Sequence, residues 1–112
     1  MNADRLEAIC SRLKGTTTDV KWGNDLCYLV GGKMYCVTGL SGSFTASFKA
    51  TPEDFSMLIE RDGIAPAPYV GRYHWVLVSR PAALTAAEWK KYVENSYELV
   101  RGNLPAKLKK GL

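Results

Sequence analysis

Between Val20 and Lys49 every apolar run is broken by a glycine-containing turn after about one strand's length. This rhythm constrains the fold more than any other feature of the chain. Val20-Lys21-Trp22 leads into Gly23-Asn24-Asp25, Leu26 to Val30 into Gly31-Gly32, and Lys33 to Thr38 into Gly39-Leu40-Ser41-Gly42. A glycine pair between two apolar runs is a hairpin signal, because both central residues of the favoured turns need positive φ. Phe44, Ala46 and Phe48 then alternate with Thr45, Ser47 and Lys49, giving one buried and one wet face. The segment spells an antiparallel meander whose outer face is free to meet solvent or a ligand.

Helical signals bracket the meander. Leu6, Ile9, Cys10 and Leu13 share one face of a helix predicted over Ala3–Lys14, with Asn2 as N-cap and Gly15 as its stop. Thr51-Pro52-Glu53-Asp54 opens a second helix with a hydroxyl cap, proline at the first helical position and acids in the first turn. Ile64 to Tyr69 carries two prolines and reads as a connector or edge. Tyr73 to Ser79 is apolar on both faces and reads as a central strand. Thr85 and Glu88 form a capping box, Leu84 can staple onto Trp89, and a long helix runs from there to Gly102. The order α-β-β-β-β-α-β-α predicts an α+β fold, a largely antiparallel sheet packed against N- and C-terminal helices. At 112 residues the chain, 1–112, is expected to form a single domain.

Composition and charge exclude several classes. An apolar content of 46% and a charged content of 23% are ordinary globular values. No apolar stretch reaches the ~20 residues of a membrane span, and the mixed-charge N-terminus lacks the pattern of a secretory signal. The odd count of three cysteines, Cys10, Cys27 and Cys36, has no C-x-x-C spacing and points to buried free thiols in a reducing compartment. The expected localisation is cytoplasmic. The net charge of +4 is local: Arg101, Lys107, Lys109 and Lys110 supply it, and residues 1–100 are neutral. A second acid-free stretch runs from Asp62 to Glu88 and holds Arg72, His74 and Arg80.

Catalytic signals are sparse. His74 is the only histidine, so a two-histidine metal site is impossible, and a Cys/His pair would need Cys27 or Cys36 beside it in space. Gly31-Gly32-Lys33 is a hairpin and not a phosphate loop, since Cys27 stands where the first glycine belongs and Met34 follows the lysine. Trp75 and Trp89 lie on periodic apolar faces and are expected in the core, whereas Trp22, beside a turn, is open to other roles. Tyr35, Tyr69 and Tyr73 are expected to be partly exposed, because their segments look like edges. No cofactor and no metal are expected, and the chain is expected to be a monomer or weak dimer.

Trp22-Gly23-Asn24, Gly31-Gly32-Lys33-Met34-Tyr35, Ile64-Ala65-Pro66-Ala67, Tyr73-His74-Trp75-Val76, Asn95-Ser96-Tyr97-Glu98-Leu99-Val100 and Leu104-Pro105-Ala106-Lys107 together resemble the MmcQ/YjbR family, in order along nearly the whole chain. The resemblance implies a frataxin-like (CyaY-like) fold and, for some members, a predicted DNA-binding role with a double-wing arrangement. The iron chemistry of frataxins does not carry over, because Asp4 and Glu7 are the only acids in the first helix and are interleaved with Arg5, Arg12 and Lys14. On the DNA reading, Lys33, Lys49, Arg72, Arg80, Lys107, Lys109 and Lys110 contact phosphates, and Trp22, Tyr35 and Tyr73 offer stacking surfaces. The alternative is a module that binds a small ligand or a protein on the wet sheet face of Thr45, Ser47 and Lys49. Convergence of the basic groups on one surface decides between them.

Overall fold

The computed structural model describes residues 1–111. Its elements are α1 (Ala3–Cys10), β1 (Thr16–Lys21), β2 (Asp25–Val30), β3 (Lys33–Gly39), β4 (Ala46–Lys49), α2 (Pro52–Leu58), β5 (Ile64–Pro66), β6 (Trp75–Val78), α3 (Ala86–Gly102) and α4 (Ala106–Lys109), with short 3-10 turns at Gly71–Tyr73 and Pro81–Ala83. The six strands form one sheet in the order β1-β2-β3-β4-β6-β5, every neighbour antiparallel. Among the described residues no helix is long and apolar enough to cross a membrane.

Strand alternation sorts side chains to two faces. Leu26, Thr38, Ala46, Val78 and Ile64 make one cross-strand row, and Tyr28, Cys36, Phe48 and Val76 the next. Both rows face α1 and α3 and form the core with Leu6, Cys10, Trp89, Tyr92, Val93 and Tyr97. Each fully buried large side chain contributes about 1.5–3 kcal/mol from leaving water. Phe48 stacks parallel to Tyr92 at 6.2 Å, and Phe44 and Phe48 meet Trp89 edge-on. The long helix starts as expected: Thr85 and Glu88 cap each other's backbone, and the flanking Leu84 and Trp89 are both buried.

Five expectations are corrected here. α1 stops at Cys10 rather than Lys14: the chain tightens into i→i+3 turns, Leu13 N–H donating to Cys10 O and Thr16 N–H to Leu13 O, and the Tyr35 and Tyr97 hydroxyls donate to Cys10 O and Lys14 O. β1 begins at Thr16, not Val20. Its Thr16-Thr17-Thr18-Asp19 run is polar because an edge strand buries neither face fully. Trp22 belongs to the turn after β1, and Tyr73 to the 3-10 turn before β6. Tyr35 is fully buried, not partly exposed.

The Tyr35 correction has a local cause. Tyr28 pairs with Cys36 but Leu29 pairs with Met34, so Tyr35 is an extra residue on β3. Such a bulge breaks the alternation and turns its residues to the same side. Tyr35 therefore joins Cys36 in the core, where its hydroxyl bonds Thr16 Oγ1 at 2.8 Å and its ring meets Tyr97 edge-on. Just beyond the bulge the β3–β4 pairing ends at Cys36↔Phe48, so Tyr35 and Lys49 are not paired with each other. Ser96 on α3 bridges them, its hydroxyl donating to Tyr35 O at 2.6 Å and accepting from Lys49 N–H at 2.9 Å.

Candidate ligand-binding groove

The helices cover only one face of the sheet. On the other, Val37, Ser47, Leu77 and Ala65 form a cross-strand row, flanked by the pairs Leu29–Met34 and Lys49–Trp75. Met34, Val37, Ser47 and Leu77 are half-buried although they sit on interior strands. They floor a groove of about 650 Å³, whose walls include Trp22, Asp25, Thr45, Trp75 and the segment 67–70. Ligand sites are commonly mainly apolar with a few fixed polar groups. Here the polar groups include the Thr45 and Ser47 hydroxyls and the Asp25 carboxylate, the only charged side chain in the lining among the described residues.

Two aromatic residues at the rim stand out by backbone and by exposure. Trp22 (φ 54°) precedes Gly23 (φ 75°) in the three-residue loop between β1 and β2, both in the left-handed region that favours glycine. Its side chain is 72% exposed. Tyr69 (φ 68°) is 98% exposed and is the centre of a turn closed by Val70 N–H donating to Pro68 O at 2.8 Å. That is a γ-turn with a left-handed centre, the rarer and strained kind. Left-handed backbone costs a non-glycine residue about 1–2 kcal/mol. Neither ring repays this by burial in the fold.

Trp75, expected in the core, is buried on the groove face instead, paired in register with Lys49, while Trp89 lies on the helix side. Sequence reasoning named Thr45, Ser47, Tyr69 and Trp22 but missed Asp25, Met34, Val37 and Leu77. A signal existed: β6 is apolar on both faces, and one of those faces has no helix over it.

The predicted phosphate contacts occupy three settings. Lys33 follows the Gly31-Gly32 turn. Gly31 has φ 58°, and a Cβ there would come within 2.5 Å of Leu104, just ahead of α4. Lys33 therefore shares one end of the molecule with Lys107, Lys109 and Lys110. Lys49 ends β4 on the groove face, and Arg72 lays its guanidinium 4.8 Å from the centre of the Tyr73 ring. Arg80 follows β6 at the opposite end and is paired with Asp62 at 2.7 Å. The seven groups do not share one surface. Of the predicted stacking residues, Trp22 and Tyr73 (52% exposed) are accessible, and Tyr35 is enclosed.

The thiols are placed for packing. All three cysteines are free and buried. The neighbouring Cys10 thiol, together with burial, holds Cys36 well above the usual thiol range, and burial raises Cys27. A raised thiol is a poor nucleophile at neutral pH. His74, at φ 66°, packs edge-on against Phe55 at 5.4 Å.

The fold and its groove can be set beside known proteins. A family model described as YjbR matches residues 11–99. The Deinococcus radiodurans protein DR2400, whose structure contains a DUF419 domain, is 23% identical, with a TM-score of 0.87 over 98% of this chain and 86% of that one. A Pseudomonas syringae protein of known structure is also 23% identical, with a TM-score of 0.72 over 89% of this chain and 99% of that one. No curated protein matches. At these identities the two structures speak for the fold, and the family model for membership: the chain belongs to the YjbR family.

Proposed function

We propose that the protein is a non-catalytic binding module that takes a small organic ligand in the groove on the helix-free face of its sheet. The observation that carries this reading is the pairing of exposure with strain at Trp22 and Tyr69, both on the rim of one apolar groove. Backbone strain held in place by the surrounding fold clusters at ligand sites. Trp22 also supplies the readout. An aromatic ligand in the groove is expected to change tryptophan emission saturably and to raise the melting temperature with concentration. Neither change in the wild type, with an intact fold, contradicts the reading.

A second reading, duplex DNA held through its phosphates, is supported by the gathering of Lys33, Lys107, Lys109 and Lys110 at one end. Four phosphate contacts give a log–log salt slope of about −3.6, at roughly −0.9 per contact. Arg80, paired with Asp62, does not add to it. Fluorescence anisotropy with labelled duplex separates the readings. A steep salt dependence that survives blocking of the groove supports DNA; affinity that is absent or flat across salt leaves the groove as the binding surface.

A further inference from the structure

The composition of the groove narrows the class of ligand, on the assumption that the groove is a binding site at all. Its floor is apolar, its rim is aromatic, and Asp25 is the one charged residue in its lining among the described residues. Asp25 is half-buried at the start of β2. Lys21 stands opposite it in register, yet Asp25 takes part in none of the ion pairs among the described residues. Its carboxylate is therefore free to accept a charged donor. Asp19 lies on the same face of β1, two residues before Lys21, so this end of the face carries a net negative charge. Lys49, also on this face, is outside the lining.

The aromatic rim points the same way. A tryptophan or tyrosine ring presents a negative face, which attracts cations and most strongly weakly hydrated ones such as alkylated amines. An anion would meet both the ring faces and the Asp25 carboxylate unfavourably. A neutral apolar body would use the floor but leave the half-buried carboxylate without a partner.

We propose that the groove binds an organic cation: an amine or quaternary ammonium group on a flat apolar body, with the charge at the Asp25 and Trp22 side of the groove and the body over Val37 and Leu77 towards Tyr69. Asp25 and the Trp22 ring together set the preference for a cation, and the floor adds affinity without regard to charge.

The test uses three probes of one shape: naphthylmethyl-trimethylammonium, naphthylmethanol and naphthylacetate, titrated by calorimetry against the full chain. The expected order is cation first, alcohol about tenfold weaker and anion weakest. In Asp25→Asn the cation is expected to fall to about the affinity of the alcohol, which itself does not move. In Trp22→Leu the cation loses most of its advantage while the alcohol still binds, which separates loss of the π-face from loss of the fold. Equal binding of cation and alcohol, or tighter binding of the anion, overturns the cation proposal and leaves the groove as a site for another class. No binding of any probe to a folded wild-type chain overturns both.

Discussion

Trp22 and Tyr69 each occupy backbone that glycine or asparagine would take at lower cost, and each ring stands in solvent. If stability alone had shaped these turns, both positions would carry smaller residues. Trp22→Asn and Tyr69→Asn are therefore expected to leave the protein as stable as the wild type or more so, by up to about 1 kcal/mol each, while weakening groove ligands about tenfold. Denaturant melts and a binding titration on the same samples check this. A clear loss of stability in both would mean that the rings serve the fold. Ser96 is the opposite case. It is completely buried and serves two backbone groups, Tyr35 C=O and Lys49 N–H, where the β3–β4 pairing ends. Ser96→Ala is expected to cost about 2 kcal/mol or more, since Tyr35 C=O and Lys49 N–H lose their partner inside the protein, and chemical denaturation reads it directly. Neither role was legible from local pattern. A serine within an apolar helix face carries no mark of the strand ends it serves, and alternation along β3 would have put Tyr35 on the groove side.

At the scale of elements, the start of α3 joins a cap to an ion pair. Arg61 donates to both oxygens of the Glu88 carboxylate, at 3.0 and 2.7 Å, and Thr85 N–H donates to it at 3.0 Å. The Arg61 hydrogen bonds first, and the Thr85 backbone second, pull the Glu88 carboxyl down to about 2. An unfolded glutamate titrates near 4.3. The folded form thus holds its proton less tightly, so the stabilisation is fully present above about pH 4.3 and is lost as the pH falls towards 2. Glu88→Gln should flatten that part of the stability–pH curve, and Glu88→Ala should cost about 1 kcal/mol at neutral pH. A parallel acid limb in wild type and Glu88→Gln would show that other carboxylates govern it. The capping box could be read from Thr85 and Glu88 alone because capping is local. So could the Gly31-Gly32 hairpin and the edge character of the proline-bearing β5. The first four residues of β1 could not, because a strand with both faces wet leaves no alternation to see, and the end of α1 could not, because the apolar spacing runs on to Leu13 through turns that are no longer α-helical.

For the whole molecule, the arrangement is a sheet with helices over one face, a groove on the other, and lysines gathered at the end where the β2–β3 turn meets α4. Charge and groove are separable. Leu104 is buried and closes over Gly31, whereas α4 contributes no buried residue. Removing residues 106–112 is expected to shift the melting temperature by only about a degree or two and to leave groove binding unchanged, while any affinity for duplex DNA falls. Loss of groove ligands with this truncation would mean that the two ends are coupled. The sheet-face alternative was legible in the alternation of Thr45 and Ser47, but its walls were not, because the 67–70 segment reaches it from the far edge of the sheet. The most direct test of the central claim is backbone-amide chemical-shift mapping with the naphthyl cation. Shifts concentrated at Trp22, Asp25, Val37, Ser47, Tyr69 and Leu77, with Lys33 and Lys107 to Lys110 unmoved, are the predicted result; shifts confined to that lysine-bearing end, or none at saturating probe, would contradict it.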